Sequence, residues 1–200
     1  MRLYDYAASG NGYKVRLLLA LLGTTYERVE MDIDQGATRT TQYLHKNANG
    51  RIPLLELDDG RLLAESDAIL FYLAQGTKYL GSDAWTQAQT LQWMFFEQYS
   101  HEPFIAVSRY IRTHLAAGHA RYAELPGLAS RGHAALQVME QHLATRAYFV
   151  GEAFSIADIA LYAYTHVAEE GGFELQSYTH VSAWLARCAD RAGFVGIAAH

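Results

Sequence analysis

The adjacent residues Glu65 and Ser66 stand at the predicted start of a helix, where polar groups can bind a ligand. The first amide groups of a helix have no partners within it and attract an anion, most simply a carboxylate. The carboxylate of Glu65 beside them can hold an ammonium group. The pair therefore predicts a site for a ligand that carries both groups, as an amino acid does.

Pro53 predicts a bend at the start of the strand that precedes this helix. Proline cannot donate to a strand ladder, so it belongs at the first position of a strand, and a bend there often needs a cis peptide bond. Such a bend leaves the backbone of Ile52 facing a ligand. Asp59 and Gly60 follow between two apolar runs and predict a tight antiparallel hairpin, because glycine tolerates positive φ.

The loop Ser9–Arg16 follows the first predicted strand and opens the first predicted helix. A helix N-terminus stabilises negative charge, and a thiolate is such a charge. A cysteine thiol has a pKa of ~8.5, so hydrogen-bond donors are needed to hold the thiolate near neutral pH. Ser9 can donate through its hydroxyl and Asn11 through its amide. Cys188 is the only cysteine, so a thiol at this loop must arrive with the ligand.

Ser9 and Asn11 also have an ordinary structural interpretation, since serine, glycine and asparagine are common in strand-to-helix turns and as helix caps. Taken alone, they favour that interpretation. The functional hypothesis rests on their occurrence together with Pro53 and the Glu65-Ser66 pair.

These motifs, in this order, resemble those of the soluble glutathione S-transferases. In that family an Ile-Pro or Val-Pro pair contacts the cysteinyl part of glutathione and a Glu-Ser pair contacts the γ-glutamyl part. The resemblance runs from Leu3 to about Arg191 and includes the helix start Ser155-x-x-Asp158. It implies glutathione as co-substrate, no metal, a small hydrophobic electrophile as second substrate, and a homodimer.

The resemblance also implies which residue holds the glutathione sulfur, but leaves three candidates. Ser9 lies where the serine classes place their hydroxyl. Some bacterial members rely on an asparagine at the position of Asn11, and the tyrosine classes place their hydroxyl at about the position of Tyr6. The division of labour among the three stays open.

Further ligand contacts are expected on both sides of this loop. Asn49 and Arg51 stand before the Ile52-Pro53 pair and are candidates for the glycine carboxylate of glutathione, with Arg39, His45 and Lys46 as alternatives. Aromatic residues on the long helix can line the pocket for the electrophile, as the corresponding helix does in the family. The candidates for that pocket are Tyr6, Tyr99, Phe104 and Tyr110.

Three functions are compatible with these residues. In the first, a glutathione transferase directs the thiolate at an electrophile. In the second, a glutathione-dependent peroxidase or disulfide reductase directs it at a peroxide or disulfide. In the third, a binding module keeps the fold without the chemistry. The loop lacks the cysteine of the glutaredoxin-like and omega-like branches, which argues against direct dithiol chemistry.

The hydrophobic patterns predict an α/β thioredoxin-like N-terminal domain and an all-α C-terminal domain. The first, residues 1–77, has the order β-α-β-α-β-β-α, a linker follows at 78–84, and residues 85–200 are helical. Ser155 and Asp158 have the spacing of a capping box that starts a buried helix. The predicted helices are Tyr13–Leu22, Thr38–Lys46, Ser66–Ala74, Trp85–His114 with a kink at Pro103, Leu128–Leu143 and Ile159–Ala168.

Composition excludes several classes of function. The 200 residues carry a formal charge of -5 and show no cluster of Lys and Arg, which argues against nucleic-acid binding. No apolar run approaches the ~20 residues that span a bilayer, and the N-terminus begins a strand without a signal peptide, so a cytoplasmic protein is expected.

Two short motifs are incomplete. Gly10-x-Gly12 lacks the third glycine of a dinucleotide site, and His101-Glu102 lacks the second histidine of a zinc-protease helix, since position 105 is Ile105.

Overall fold

The computed structural model describes residues 1–199, which form two compact units. The first unit comprises Met1–Gln75 together with residues 192–199, and the second comprises Gly76–Arg191. The chain therefore returns to the first unit after its last helix. The sequence pattern alone assigned residues 85–200 to one helical domain.

The first unit is built on a four-stranded sheet in the order β2-β1-β3-β4. β1 is parallel to β2 and antiparallel to β3, and β3 and β4 form the predicted hairpin. This arrangement confirms the predicted thioredoxin-like layout. The strands are β1 (Arg2–Asp5), β2 (Glu27–Glu30), β3 (Leu54–Glu56) and β4 (Leu62–Ala64); the helices are α1 (Gly10–Leu21), α2 (Thr41–Lys46) and α3 (Ser66–Leu73), with a 3-10 turn at Ala37–Arg39.

Both faces of this sheet are buried. Leu54 and Leu55 are adjacent in β3 and fully buried, and they belong to two different clusters because successive side chains of a strand point to opposite faces. Burial of one such leucine stabilises the fold by about 1.5–3 kcal/mol. One cluster joins Leu55 to Leu3, Val15, Leu19 and Ile69, and the other joins Leu54 to Met31 and Tyr43.

The second unit is helical, as predicted. Its helices are α4 (Ala84–Phe96), α5 (Glu102–His114), α6 (Leu125–Leu143), α7 (Ile156–Thr165) and α8 (Thr179–Ala189), with a π-helical turn at Glu97–His101 and 3-10 turns at Ala120–Glu124 and Ala168–Gly171. No helix in residues 1–199 combines the length and apolar character that crossing a membrane requires.

The predicted capping box starts the central helix of this unit. The Ser155 Oγ accepts from the backbone N–H of Ala157 at 3.2 Å, and the Asp158 Oδ2 accepts from the backbone N–H of Ser155 at 2.9 Å. The Asp158 Oδ1 also accepts from the Trp184 indole N–H at 2.9 Å. Every residue of α7 is buried, so this cap fixes the start of a helix that lies inside the unit.

Several helix bounds differ from the prediction. The irregularity in the long helix lies at the π-helical turn Glu97–His101, just before Pro103, because a proline in the first turn of α5 fits without a donor. For the same reason α6 includes Pro126 in its first turn and begins at Leu125. α1 begins at Gly10, three residues before the predicted start, and α7 begins at Ile156.

Candidate functional site

Strand register brings the three predicted motifs to one end of the sheet. Tyr4 of β1 pairs with Leu54 of β3, and Leu54 pairs with Ala64 of β4. From this row, β1 runs on into the loop that contains Ser9, β3 is entered from Pro53, and β4 leads into α3. The loop, the proline and the start of α3 therefore lie at the same edge, although the sequence separates them.

The peptide bond between Ile52 and Pro53 is cis, as the bend at the strand start predicted. Pro53 is buried, and the chain before it is fixed by two hydrogen bonds to the carbonyl of Arg51, from the Tyr43 hydroxyl at 2.7 Å and the Asn47 amide at 2.9 Å. In the described part of the chain, neither the N–H nor the C=O of Ile52 has a hydrogen-bond partner. This backbone is available to pair with an extended ligand.

Ser9 caps α1. Its Oγ accepts from the backbone N–H of Gly12 at 3.1 Å, and its own N–H closes a turn to the carbonyl of Tyr6 at 2.8 Å. The ordinary capping role of Ser9 is thus observed. The hydrogen bond that caps the helix does not use the proton of the Ser9 hydroxyl. A hydroxyl oxygen that accepts a hydrogen bond becomes a stronger donor. Ser9 can therefore cap the helix and donate to an anion at once.

Asn11 is tied to the start of α3. The Ser66 hydroxyl donates to the Asn11 Oδ1 at 3.3 Å and accepts from the Lys14 ammonium at 3.4 Å. Because an ammonium can only donate, Lys14 commits the Ser66 proton to Asn11. The amide oxygen of Asn11 then faces Ser66, and its NH₂ group faces the other way. The side chain of Lys14 is fully buried and also pairs with Asp67 at 3.1 Å.

Glu65 has a rare backbone conformation. Its φ is 68° and its ψ is 116°, the only positive φ at a non-glycine position in residues 1–199. Such a conformation costs about 1–3 kcal/mol and persists where the surroundings impose it, often at a ligand site. Glu65 is exposed and its side chain makes no capping hydrogen bond to α3. The strain therefore presents an uncommitted carboxylate beside the first amides of the helix.

Tyr6, the third candidate donor, is directed elsewhere. Its hydroxyl donates to the Asp34 carboxylate at 3.4 Å. Burial, followed by the negative charge of Asp34, raises the pKa of Tyr6 above its ordinary value. Because its proton already has an acceptor, the Tyr6 hydroxyl is less available to a thiolate than the Ser9 hydroxyl.

The candidates for the glycine carboxylate separate into two groups. Lys46 is committed to Glu56 at 2.7 Å, and this hydrogen bond raises the pKa of Lys46. Arg39 donates to the backbone carbonyl of Asn49 at 3.2 Å. The Arg51 side chain is exposed next to the cis bond and has no such ion pair among the described residues.

Two of the aromatic candidates on the second unit share a cavity. Tyr99 and Phe104 line a cavity of about 610 Å³, where the Arg131 guanidinium lies 5.3 Å from the centre of the Phe104 ring. Tyr110 does not line it and stacks on His114, with 5.0 Å between the ring centres. The role of these side chains in binding an electrophile stays a prediction.

Two family models match the chain. One is the glutathione S-transferase N-terminal domain, over residues 1–75, and the other is the glutathione S-transferase C-terminal domain, over residues 94–192. A glutathione S-transferase-like protein of Fusarium sp is 32% identical over 93% of this chain and 87% of its own length. The chain belongs to the glutathione S-transferase family.

Solved structures of other members of this family have the same fold. One from Pseudomonas fluorescens is 50% identical with a TM-score of 0.96, and the match covers 98% of each chain. A glutathione transferase from Burkholderia graminis, solved with two glutathione molecules per subunit, is 26% identical with a TM-score of 0.84, covering 96% of this chain and 84% of that one. Relatives of this glutathione S-transferase family member therefore bind glutathione.

The sequence analysis of this glutathione S-transferase family member assigned no role to two cations that the structure places beside the site. Lys14 and Arg16 lie within the apolar run of α1, and both are buried. Arg16 pairs with Asp5 at 2.9 Å. A buried cation needs hydrogen-bond acceptors close to it. The occurrence of Lys14 and Arg16 in an apolar stretch of sequence therefore indicates that polar groups surround α1.

Burial raises the pKa of the Cys188 thiol in α8, so this cysteine is a poor source of thiolate. Across residues 1–199 no group of three or more His, Cys, Asp or Glu side chains is arranged to hold a metal ion.

Proposed function

We propose that the protein is a glutathione S-transferase that stabilises the thiolate of bound glutathione for attack on a small hydrophobic electrophile. The observation that carries this proposal is the strand row Tyr4, Leu54 and Ala64, which brings the Ser9 loop, the cis Pro53 and the start of α3 to one edge of the sheet. That edge offers separate groups for each part of glutathione.

Each part of glutathione meets a different group. The Glu65 carboxylate takes the ammonium of the γ-glutamyl part, and the backbone N–H of Ser66 with the next amides of α3 takes its carboxylate. The backbone of Ile52 pairs with the cysteinyl part in the manner of an added strand. Asn49 and Arg51 meet the glycine carboxylate.

The chemistry takes place at the start of α1. The thiol of bound glutathione loses its proton to solvent, and the Ser9 hydroxyl donates to the resulting thiolate, with the Asn11 amide and the helix N-terminus adding to the stabilisation. The sulfur then forms a bond to the electrophilic carbon, and the leaving group departs with its electron pair.

A second candidate function is the reduction of hydroperoxides or disulfides. The thiolate attacks one oxygen of a hydroperoxide, an alcohol leaves, and a second glutathione reacts with the sulfenic acid to give glutathione disulfide and water. The Burkholderia graminis relative with two glutathione molecules per subunit supports this candidate. Turnover of an organic hydroperoxide without turnover of an aryl halide favours it over the transferase.

The deciding experiment is a pH titration of the thiolate absorbance of bound glutathione. We expect thiolate near neutral pH in the wild type and an apparent pKa higher by about 1–2 units in Ser9→Ala, the size of one lost hydrogen bond to a charged group. Asn11→Ala reports the contribution of the amide, and Ser182→Ala in the second unit serves as control. If glutathione binds and no thiolate forms, the chain is a binding module.

Three further properties are proposed, and one variant tests two of them, the pocket and the dimer. The electrophile is placed against Tyr99 and Phe104, and the protein acts in the cytoplasm as a homodimer, supported by the exposed aromatic rings of Phe95 and Tyr99. Tyr99→Ser separates these roles, because a higher KM for the electrophile in an unchanged oligomer supports the pocket. A change of sedimentation alone assigns Tyr99 to contact between subunits.

A further inference from the structure

Residues 192–199, here called the C-terminal strap, return to the first unit and attach to α1 by their backbone. The Arg16 guanidinium donates to the carbonyls of Ile197 at 2.7 Å and Ala199 at 3.3 Å, and the Tyr13 hydroxyl donates to the carbonyl of Val195 at 2.7 Å. The strap has no charged side chain, so its carbonyls are its means of attachment to these donors.

The same guanidinium holds the loop that carries Ser9. Nη2 of Arg16 donates to the carbonyl of Ala7 at 2.7 Å, and Nε pairs with Asp5 at 2.9 Å. The N–H of Ala7 donates to Glu30 at 3.0 Å. Both the N–H and the C=O of Ala7 are therefore hydrogen-bonded, two residues before the helix cap, and the donor to its C=O is Arg16.

Part of the C-terminal strap borders a cavity and is not closely packed against α1. Val195, Gly196 and Ala199 form one wall of a cavity of about 370 Å³, whose other walls include Ala20 of α1 and Thr24. None of residues 195–199 is buried, so their removal takes no buried side chain from the core. Its main effects are to expose Arg16 and Tyr13, both buried in the intact chain, and to leave Nη1 of Arg16 and the Tyr13 hydroxyl to water.

We infer that the C-terminal strap positions the Ser9 loop through Arg16, which makes Arg16 a positioning residue for thiolate formation. A planar guanidinium that donates to several fixed carbonyls keeps one orientation. In that orientation the Arg16 side chain also donates to the carbonyl of Ala7. Without the strap the side chain regains freedom and the loop loosens. The consequence for the thiolate rests on the proposed function, whereas the consequence for the loop does not.

The test is a cycle of four proteins: the wild type, a deletion of residues 195–200, Arg16→Lys, and the two changes combined. Lysine keeps the positive charge beside Asp5 but lacks the planar guanidinium that donates to several carbonyls at once. Amide hydrogen exchange of residues 6–12 is measured without glutathione. We expect the deletion to speed exchange roughly threefold to tenfold, the size of one lost hydrogen bond, and to add little in the Arg16→Lys background.

Three outcomes decide the inference. Unchanged exchange at residues 6–12 after the deletion overturns it. So do additive effects of the two changes, because the strap then acts without Arg16. Faster exchange that is absent in the Arg16→Lys background supports it. If the deletion of 195–200 does not fold, a deletion of 198–200 is used, which keeps the contacts to Val195 and Ile197, removes the longer contact to Ala199 and is expected to give a smaller increase.

A second readout links the strap to chemistry. In the deletion, the apparent pKa of bound glutathione is expected to rise and kcat to fall, while the dissociation constant of glutathione stays within about twofold, because Glu65 and Ser66 are not touched. Absence of thiolate in the wild type defeats the proposed function alone. Unchanged loop exchange defeats the strap inference alone.

Discussion

The Ser66 hydroxyl donates to the Asn11 amide oxygen at 3.3 Å and joins two positions 55 residues apart. With Lys14 supplying the hydrogen bond that Ser66 accepts, this contact sets the direction of the Asn11 amide. The start of α3 and the start of α1 are therefore in direct contact. Under the proposed function, a change at Ser66 alters both the helix start proposed to bind the γ-glutamyl part and the amide proposed to face the sulfur.

Ser66→Ala is the direct test of this junction. We expect glutathione affinity to fall roughly threefold to tenfold, because the Asn11 oxygen loses the donor that holds its amide in place and the buried Lys14 ammonium loses an acceptor. Calorimetric titration measures the change. Ser66→Thr keeps the hydroxyl and is expected to retain most of the affinity; equal losses in both variants would show that packing, and not the hydroxyl, matters here.

Glu65 predicts a conflict between stability and binding. Glu65→Gly relieves the positive φ and is expected to raise the free energy of unfolding by about 1 kcal/mol while it weakens glutathione binding. Glu65→Gln keeps the strain, so its stability is expected to stay within about 0.5 kcal/mol of wild type while binding weakens similarly.

Chemical denaturation and calorimetry on the same samples check both Glu65 variants. Full affinity in Glu65→Gln would remove the carboxylate from the ligand site. A Glu65→Gly protein less stable than wild type would contradict the assignment of strain.

Position 12 has room only for glycine, because the Asp5 carboxylate occupies the space that a side chain would take. A Cβ at this position would lie 1.5 Å from the Oδ1 of Asp5, which is fully buried and paired with Arg16. Gly12→Ala is expected to displace Asp5 and to cost about 3 kcal/mol or more, since it disrupts a buried ion pair. Denaturant unfolding measures it.

Gly127→Ala is the matched control for Gly12→Ala. Gly127 also lies in the first turn of a helix, and a Cβ there meets no atom within 4 Å. Replacement by alanine is expected to stabilise α6 by up to about 1 kcal/mol. Similar destabilisation by the two changes would contradict the steric argument for Gly12.

Local chemistry was predictable from the sequence, and distant partners were not. The cis bond at Pro53, the hairpin at Gly60 and the box at Ser155 each follow from neighbouring residues whose backbone demands are known. The acceptors of Arg16 lie up to 183 residues away in the strap, where no side chain signals them.

The Ser155 cap predicts a loss of stability without a loss of binding. Ser155→Ala removes the acceptor for the Ala157 N–H and the donor to Asp158, and should lower the free energy of unfolding by about 1 kcal/mol. Thermal and denaturant unfolding measure this. Glutathione affinity at 25 °C should be unchanged, since all the proposed glutathione contacts lie in the first unit. An affinity loss comparable to that of Ser66→Ala would assign the cap a functional role.

His142 predicts a pH dependence of stability. Its ring stacks on Phe149 with 5.5 Å between centres, and its Nε2 donates to the Phe149 carbonyl at 3.1 Å. Burial, followed by the charge of Arg146, lowers the pKa of His142 below its ordinary 6.5. The unfolded chain therefore takes up this proton first as the pH falls, and the stabilisation present above about pH 6.5 is lost toward the folded pKa.

The comparison with His142→Gln isolates that contribution, because glutamine keeps a donor for the Phe149 carbonyl and does not titrate. Between about pH 7.5 and pH 5.5, the free energy of unfolding of the wild type is expected to fall more than that of the variant. Groups common to both proteins, including His166, whose pKa burial also lowers, cancel in the difference. Denaturant unfolding at each pH measures it. Parallel curves would mean that His142 has the same pKa in the folded and unfolded chain, and that its burial between aromatic rings does not oppose its charge.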